Sequence, residues 1–116
     1  MLKIKRIYDP VSANDGRRIL VDRLWPRGIK KEGAKIDEWL KDIAPSDELS
    51  KWFSHEPSKW QEFRKSYKSE LKKNSSLIEI LIAEAKRETI TLLFAAKDKE
   101  HNNAVVLKEV IEERYK

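Results

Sequence analysis

Residues 18–28, RILVDRLWPRG, place charged and aromatic side chains directly after an apolar stretch. The aliphatic run ILV predicts a buried strand, and no turn residue separates it from Asp22, Arg23, Trp25 and Arg27. A guanidinium has a planar set of donors that suits phosphate or carboxylate, and a carboxylate can act as a base or nucleophile. The sequence therefore predicts one wall of a binding or catalytic site at this strand end.

A second apolar strand, predicted over 90–96, also ends in polar residues. Asp98, His101, Asn102 and Asn103 follow it in the sequence KDKEHNN. In open α/β sheets, ligands bind outside the carboxyl ends of the strands. If the two strands are parallel, both polar clusters lie at the same edge of the sheet and face each other.

The second cluster also precedes a predicted helix, HNNAVVLKEV. A helix start has unpaired N–H groups and a partial positive charge, so it favours an anion. The imidazole of His101 can donate or accept a proton. The candidate catalytic residues are Asp22, Asp98 and His101, and the candidate ligand-binding residues are Arg23, Trp25, Arg27, Ser46, His55, Asn102 and Asn103.

Each candidate also has a purely structural interpretation. Asp22 could simply accept a hydrogen bond from a loop amide, and the sole role of Asn102 could be to cap the helix. Trp25 precedes a proline, which restricts its backbone to extended geometry, and His55 could be an exposed loop residue. Ser46 is predicted to cap a short helix. The co-location of two clusters, rather than any one residue, favours a site.

The composition narrows the chemistry. The 116 residues include no cysteine, which excludes disulfides, thiolate nucleophiles and cysteine zinc sites. The sequence contains no glycine-rich phosphate loop and no zinc-protease motif, so we assign no cofactor and predict no metal site. No apolar run reaches the roughly 20 residues of a membrane-spanning helix, and no signal peptide is evident. We expect a cytoplasmic protein without membrane contact.

The formal net charge of +5 favours anionic partners, either a small molecule or a nucleotide. Whether such a site is catalytic stays open. The alternative is a non-catalytic nucleic-acid-binding or regulatory module, because helix 57–73 carries the basic residues Lys59, Arg64, Lys65, Lys68, Lys72 and Lys73. A protein–protein adaptor is disfavoured, since Trp39, Trp52 and Trp60 fall in apolar patterns and are predicted to be core residues. The oligomeric state is not predicted.

The apolar patterns predict one α/β domain over 1–116, with a small, mostly parallel sheet flanked by about four helices. Strands are predicted over 2–8, 18–22 and 90–96, and helices over 45–53, 57–73, from a capping box at Ser76 and Glu79, and after His101. Segment 36–43 is ambiguous, because its spacing favours a helix while its shortness leaves a strand open.

Four blocks carry a resemblance to a known family: IYDP, DGRRILVDRLWPRG, WLKDIAPSDELSKWFSHEPSKWQEFRKSYKSEL and TLLFAAKDKEHNNAVVLKEVI. In this order they resemble the YeaO-like proteins, short bacterial members of the family catalogued as domain of unknown function 488. The resemblance implies a compact single-domain α/β fold and a cytoplasmic bacterial protein, and it supplies no reaction. It also implies that IDEWLKDIAPS is a strand leading into a helix.

Longer relatives in the wider family carry a cysteine in the strand corresponding to LLFAA and a Cys-His-Arg-like motif at HNN. This chain has Phe94 in the strand and His101, Asn102 and Asn103 at the motif. A thiol or cysteine–metal role is therefore not transferred to this chain.

Overall fold

A four-stranded sheet organises the protein, and the computed structural model describes residues 1–115 of the chain. All strand pairs are parallel, in the spatial order β1-β4-β2-β3. The strands are β1 (Leu2–Arg6), β2 (Arg17–Leu20), β3 (Glu38–Trp39) and β4 (Ile90–Phe94). The α/β class and the parallel pairing of the two apolar strands are both confirmed, although each strand ends two residues earlier than predicted.

Five α-helices surround the sheet: α1 (Lys31–Ala34), α2 (Asp47–Phe53), α3 (Trp60–Lys72), α4 (Ser75–Arg87) and α5 (Asn103–Tyr115). Four of them were predicted, and the additional one is the four-residue α1. Short 3₁₀ turns occupy Ala13–Asp15, Lys41–Ile43 and Pro57–Lys59. The ambiguous segment 36–43 contains the two-residue β3 followed by a 3₁₀ turn, which agrees with the order that the family resemblance implied. No helix in the described part of the chain is long and apolar enough to span a membrane.

The central strand β4 is buried along its whole length. It pairs with β1 from Leu2 opposite Ile90 onwards, and with β2 from Arg17 opposite Ile90 onwards. A parallel strand with neighbours on both sides has no solvent-exposed face, which explains its uninterrupted apolar sequence. The same apolar sequence predicts a central strand, and the structure confirms this position.

The two faces of the sheet are covered differently. Helices α3, α4 and α5 pack on one face and form the main core with buried residues that include Phe63, Tyr67, Leu81 and Leu107. The opposite face has a smaller cluster of Ile7, Leu20 and Leu93, covered by side chains from the chain that follows β2: Trp25, Ile29, Ile36 and Trp39. The spacing of Trp60, Phe63, Tyr67 and Leu71 predicts one apolar stripe on helix 57–73. The last three are buried in α3 and Trp60 packs against the core, so the stripe is confirmed.

Three local predictions are wrong. Trp52 is 40% exposed and does not belong to the core. The apolar sequence LIEILIAEA predicts a helix that is buried on nearly every side, but Ile80 of α4 is 53% exposed. The predicted capping box at Ser76 and Glu79 does not start α4, because the helix begins at Ser75 and the side chain of its N-cap residue, Asn74, accepts no capping hydrogen bond from the described residues.

Gly16 lies directly before β2, close to the backbone of Thr89, which precedes β4. Its φ is +63°, and a Cβ added there would be 2.1 Å from the carbonyl oxygen of Thr89. The following residue, Arg17, donates its N–H to that same carbonyl at 3.0 Å. Only glycine combines this backbone conformation with so close an approach, so Gly16 sets the start of the β2–β4 pairing.

Candidate functional site

A cavity of about 360 Å³ opens at the carboxyl ends of the strands. Segments that follow β1, β2 and β4 line it, together with α2, α3 and the start of α5. Its lining includes seven of the residues predicted from sequence: Asp22, Arg23, Trp25, Arg27, His55, Asn102 and Asn103. This is the edge of the sheet at which ligands bind in open α/β folds.

Asp22 is held by groups from two other elements. Its Oδ2 accepts the N–H of Ala95 at 2.8 Å, directly after β4, and its Oδ1 accepts the side-chain amide of Asn103 at 3.1 Å. The same amide donates to the carbonyl of Val21 at 3.0 Å. The two polar clusters predicted to face each other therefore meet through Asp22 and Asn103.

Asp22 has no positively charged partner within ion-pair distance in the described part of the chain. Burial raises the pKa of its carboxyl above the ordinary value, and the N–H of Ala95, the amide of Asn103 and the charge of His55 reverse this only in part. A carboxyl group with such a shift, at the wall of a cavity, is typical of functional sites.

The two predicted arginines differ in whether their guanidinium groups are bonded to other described residues. The guanidinium of Arg23 donates from Nε and Nη2 to the carbonyl of Pro45, at 3.2 and 3.1 Å, and so links the chain after β2 to the start of α2. Arg27 is held by its backbone, because its carbonyl accepts the hydroxyl of Tyr8 at 2.8 Å. Its guanidinium forms no hydrogen bond or ion pair with any described residue.

Two tryptophans fix the chain that follows β2. The rings of Trp25 and Trp39 meet edge to face, with centroids 5.4 Å apart. The indole N–H of Trp39 donates to the carbonyl of Asp22 at 2.7 Å, and that of Trp25 donates to the carbonyl of Ile29 at 2.6 Å. The backbone of Asp22 is thereby anchored independently of its carboxylate.

Ser46 is the N-cap of α2 and does not line the cavity. Its hydroxyl accepts the N–H of Leu49 at 3.1 Å and donates to Glu70 at 2.6 Å, and its own N–H donates to Glu70 at 2.8 Å. This confirms the predicted cap. All these polar groups are engaged, which leaves the hydroxyl little capacity for a ligand.

The chain after α2 brings His55 to the cavity rim. Ser54 and His55 both have positive φ angles, 45° and 56°, a conformation that is uncommon outside glycine. His55 is exposed, and its ring lies 6.2 Å from that of Phe53, centroid to centroid.

Asp98 and His101 do not line the cavity. The Oδ1 of Asp98 accepts the N–H groups of Glu100 and His101, at 2.9 and 3.0 Å, and its Oδ2 is 2.9 Å from Nδ1 of His101. The hydrogen bond from the N–H of Glu100 contributes most to lowering the pKa of Asp98, and the bonds from His101 lower it further. The ring of His101 contacts Trp60 edge to face, at 5.2 Å between centroids. The pair forms its own turn beside the site.

Asn102 caps α5, as its structural interpretation predicted, and it also lies in the cavity wall. Its Oδ1 accepts the N–H of Val105 at 3.1 Å, so it caps α5, and its amide donates to the carbonyl of Asp98 at 2.9 Å. Asn102 is buried and lines the cavity.

Several lining residues were not predicted from sequence. Tyr8 follows β1, and Phe53 and Phe63 come from α2 and α3. The rule that selected the ends of the other two strands would also have selected Tyr8, because β1 is parallel to them. Phe53 and Phe63 carry no comparable signal, since their apolar spacing predicts core residues.

The basic surface of helix 57–73 is partly neutralised. In α3, Arg64 donates to Glu109 of α5 at 2.6 Å, and Lys68 lies 3.0 Å from Glu109 and 3.3 Å from Glu113. These two cations pack against α5 as ion pairs, which reduces the charge that this helix offers to a nucleic acid.

Sequence comparisons identify the family. A family model described as the inactive DUF488-N3 subclade matches residues 1–116. The chain is 47% identical over 106 residues to the uncharacterized protein YeaO of Escherichia coli (strain K12), which covers 91% of this chain and 92% of YeaO. It is 34% identical over 113 residues to the uncharacterized protein Rv3073c of Mycobacterium tuberculosis (strain ATCC 25618 / H37Rv), with 97% and 95% covered. No solved structure matches it significantly. The chain belongs to the DUF488 family, and the predicted resemblance is confirmed.

Proposed function

We propose that this protein binds a small anionic molecule of nucleotide size in the cavity, without converting it. The observation that carries the proposal is the unpaired guanidinium of Arg27 at the wall of a cavity of about 360 Å³. Small-molecule sites have volumes of roughly 300–1,000 Å³ and combine apolar walls with a few placed polar groups. An arginine that lacks a protein partner at such a site suits a phosphate or carboxylate.

The remaining lining residues support a ligand with an apolar body. Trp25, Phe53 and Phe63 supply aromatic surface, and the start of α5 adds a partial positive charge near Asn102 and Asn103. Binding without conversion is favoured because Asp98 and His101, which could exchange protons, bond to each other outside the cavity. The family description as an inactive subclade agrees with this choice.

A thermal-shift screen with nucleoside monophosphates and phosphorylated sugars tests the proposal. A ligand at about 100 times its Kd stabilises the folded state by about 2.7 kcal/mol, which raises Tm by several degrees. We expect this increase for the wild type and for Arg87→Ala, and a much smaller one for Arg27→Ala. Arg87 is the matched control, because it is exposed at the end of α4, next to the amino end of β4.

Three results would contradict the proposal. One is a ligand that raises the Tm of Arg27→Ala as much as that of the wild type. Another is chromatography showing that the bound molecule is converted, which would make the protein an enzyme. The third is salt-sensitive binding of DNA or RNA that Arg27→Ala leaves unchanged, which would favour the nucleic-acid alternative.

A further inference from the structure

We infer that the ligand of this cavity presents two adjacent N–H donors to Asp22, as the guanine base of a nucleotide does. The inference rests on the proposed function and names the ligand class. It follows from the acceptor capacity of one carboxylate, from the lack of a charged partner for it, and from the aromatic walls beside it.

The carboxylate of Asp22 has unused acceptor capacity on both oxygens. An ionised carboxylate offers about four acceptor positions, two on each oxygen. The N–H of Ala95 uses one position on Oδ2, and the amide of Asn103 uses one on Oδ1. One position on each oxygen is left, and a ligand with two neighbouring N–H groups could use both.

The protein itself supplies no charged partner to these positions within the described residues. Asp22 is half-buried, and its donors are two neutral amides. Because Asp22 lines the cavity, a ligand can supply the missing donors. Two parallel N–H groups would bind both free positions at once, in the bidentate arrangement that carboxylates favour.

Guanine fits this requirement among the nucleobases. Its base-pairing edge carries the N1–H and the 2-amino group next to each other, whereas hypoxanthine has only the N1–H and adenine has an acceptor nitrogen beside its amino group. A planar base also suits the aromatic surfaces of Trp25, Phe53 and Phe63, and the phosphate suits Arg27. Free arginine shares this chemistry, because its guanidinium has paired donors and its carboxylate could bind Arg27.

Calorimetric titrations of the wild type with GMP, IMP, AMP, XMP and L-arginine test the inference. Hydrogen bonds to a charged group are worth enough that losing one weakens binding by about tenfold or more. We therefore expect GMP to bind at least about tenfold more tightly than IMP or AMP. XMP should bind most weakly, because its 2-oxo group would face the carboxylate.

Asp22→Asn should change this order. Asparagine replaces one carboxylate oxygen by an NH2 group and keeps one acceptor oxygen. The NH2 group can donate to the 2-oxo group of XMP and the oxygen can accept its N1–H, so the preference for GMP over XMP should disappear or reverse. Asp42→Asn is the matched control, because Asp42 is an exposed aspartate that does not line the cavity. It should keep the wild-type order. Circular dichroism and thermal melting confirm that each variant is folded.

The outcomes separate this inference from the proposed function. Nucleotides that bind through Arg27, with GMP no tighter than AMP, would overturn the guanine preference and leave the anion site intact. Absence of any binding that depends on Arg27 would overturn both. A third outcome is that L-arginine binds, that Asp22→Asn loses this binding, and that GMP does not bind. This would overturn the assignment to guanine and would assign the donor pair to an amino acid. The wild-type ranking decides the matter even if Asp22→Asn fails to fold.

Discussion

Asp15 and Asp22 lie just outside the two ends of β2, and their surroundings differ. Asp15 is 4% exposed and accepts hydrogen bonds from Lys5 at 3.0 Å and from Arg18 at 2.6 Å. Within residues 1–115, Asp22 accepts only neutral amide donors. One strand is therefore flanked by a carboxylate with two cationic partners and by a carboxylate that has none among these residues.

The carboxylate of Asp15 has a structural role, whereas that of Asp22 is available to a molecule in the cavity. Burial acts to raise the pKa of both carboxyl groups, but at Asp15 the N–H of Ser12 and the two cations outweigh burial and lower the pKa. At Asp22 burial prevails, and the pKa is raised. Because the partners of Asp15 complete its requirements, it has nothing to offer a ligand, whereas Asp22 retains acceptor positions toward a cavity.

Removing Asp15 should give the largest loss of stability. Asp15→Ala leaves the guanidinium of Arg18, 3% exposed, without its ionic partner. Breaking one side of a buried pair costs about 3 kcal/mol or more in free energy of unfolding. Urea denaturation measures this, with the exposed Asp42→Ala as the control. A cost no greater than that of Asp22→Ala would mean that the two aspartates do not differ as described.

The two aspartates should also give opposite dependences of stability on pH. The pKa of Asp15 is lowered, so its stabilising contribution is present above the ordinary value of 3.8 and is lost as the pH falls through the folded-state pKa. The pKa of Asp22 is raised, so its contribution is present below 3.8 and is lost as the pH rises through the folded-state pKa.

Urea denaturation of Asp15→Asn and Asp22→Asn across a pH series measures these dependences. The cost of Asp15→Asn should shrink as the pH is lowered below 3.8, and that of Asp22→Asn should shrink as the pH is raised above it. Parallel dependences for the two variants would refute the contrast.

Replacing Asp98 should give the smallest effect. Its carboxylate is part of an exposed turn, where its hydrogen bonds compete with water. We expect Asp98→Asn to lower Tm less than either Asp15→Ala or Asp22→Asn, as measured by differential scanning fluorimetry. A decrease equal to that of Asp15→Ala would indicate that this turn, and not the edge of β2, is the stability-determining charge site.

Much of the sheet could be predicted because its signals are local. An uninterrupted apolar run such as residues 90–94 requires neighbours on both faces and both sides, which places it at the centre of a parallel sheet. The same reasoning brought the ends of β2 and β4 together, and with them Asp22 and Asn103. Helix α2 was predictable from its cap at Ser46.

The remaining features depend on contacts between distant residues. Glu70 accepts hydrogen bonds from both the hydroxyl and the N–H of Ser46, and the residues near Ser46 in the sequence do not predict this partner. Trp52 has the apolar type of a core residue, yet it is next to the buried Phe53, and adjacent side chains of a helix do not point in the same direction. Asp98 lies close to Asp22 in the topology, but its side chain bonds to its own turn, which residue types alone do not reveal.

The close approach of Gly16 to Thr89, before β2 begins, affects the position of Asp22 after β2 ends. The backbone there determines which residue of β2 lies beside which residue of β4. A slip by one position would turn every later side chain of the strand to the other face of the sheet, and the Asp22 carboxylate would leave the wall it shares with Ala95. A lineage could thus lose this cavity through a change at a glycine that does not line it, with every lining residue preserved.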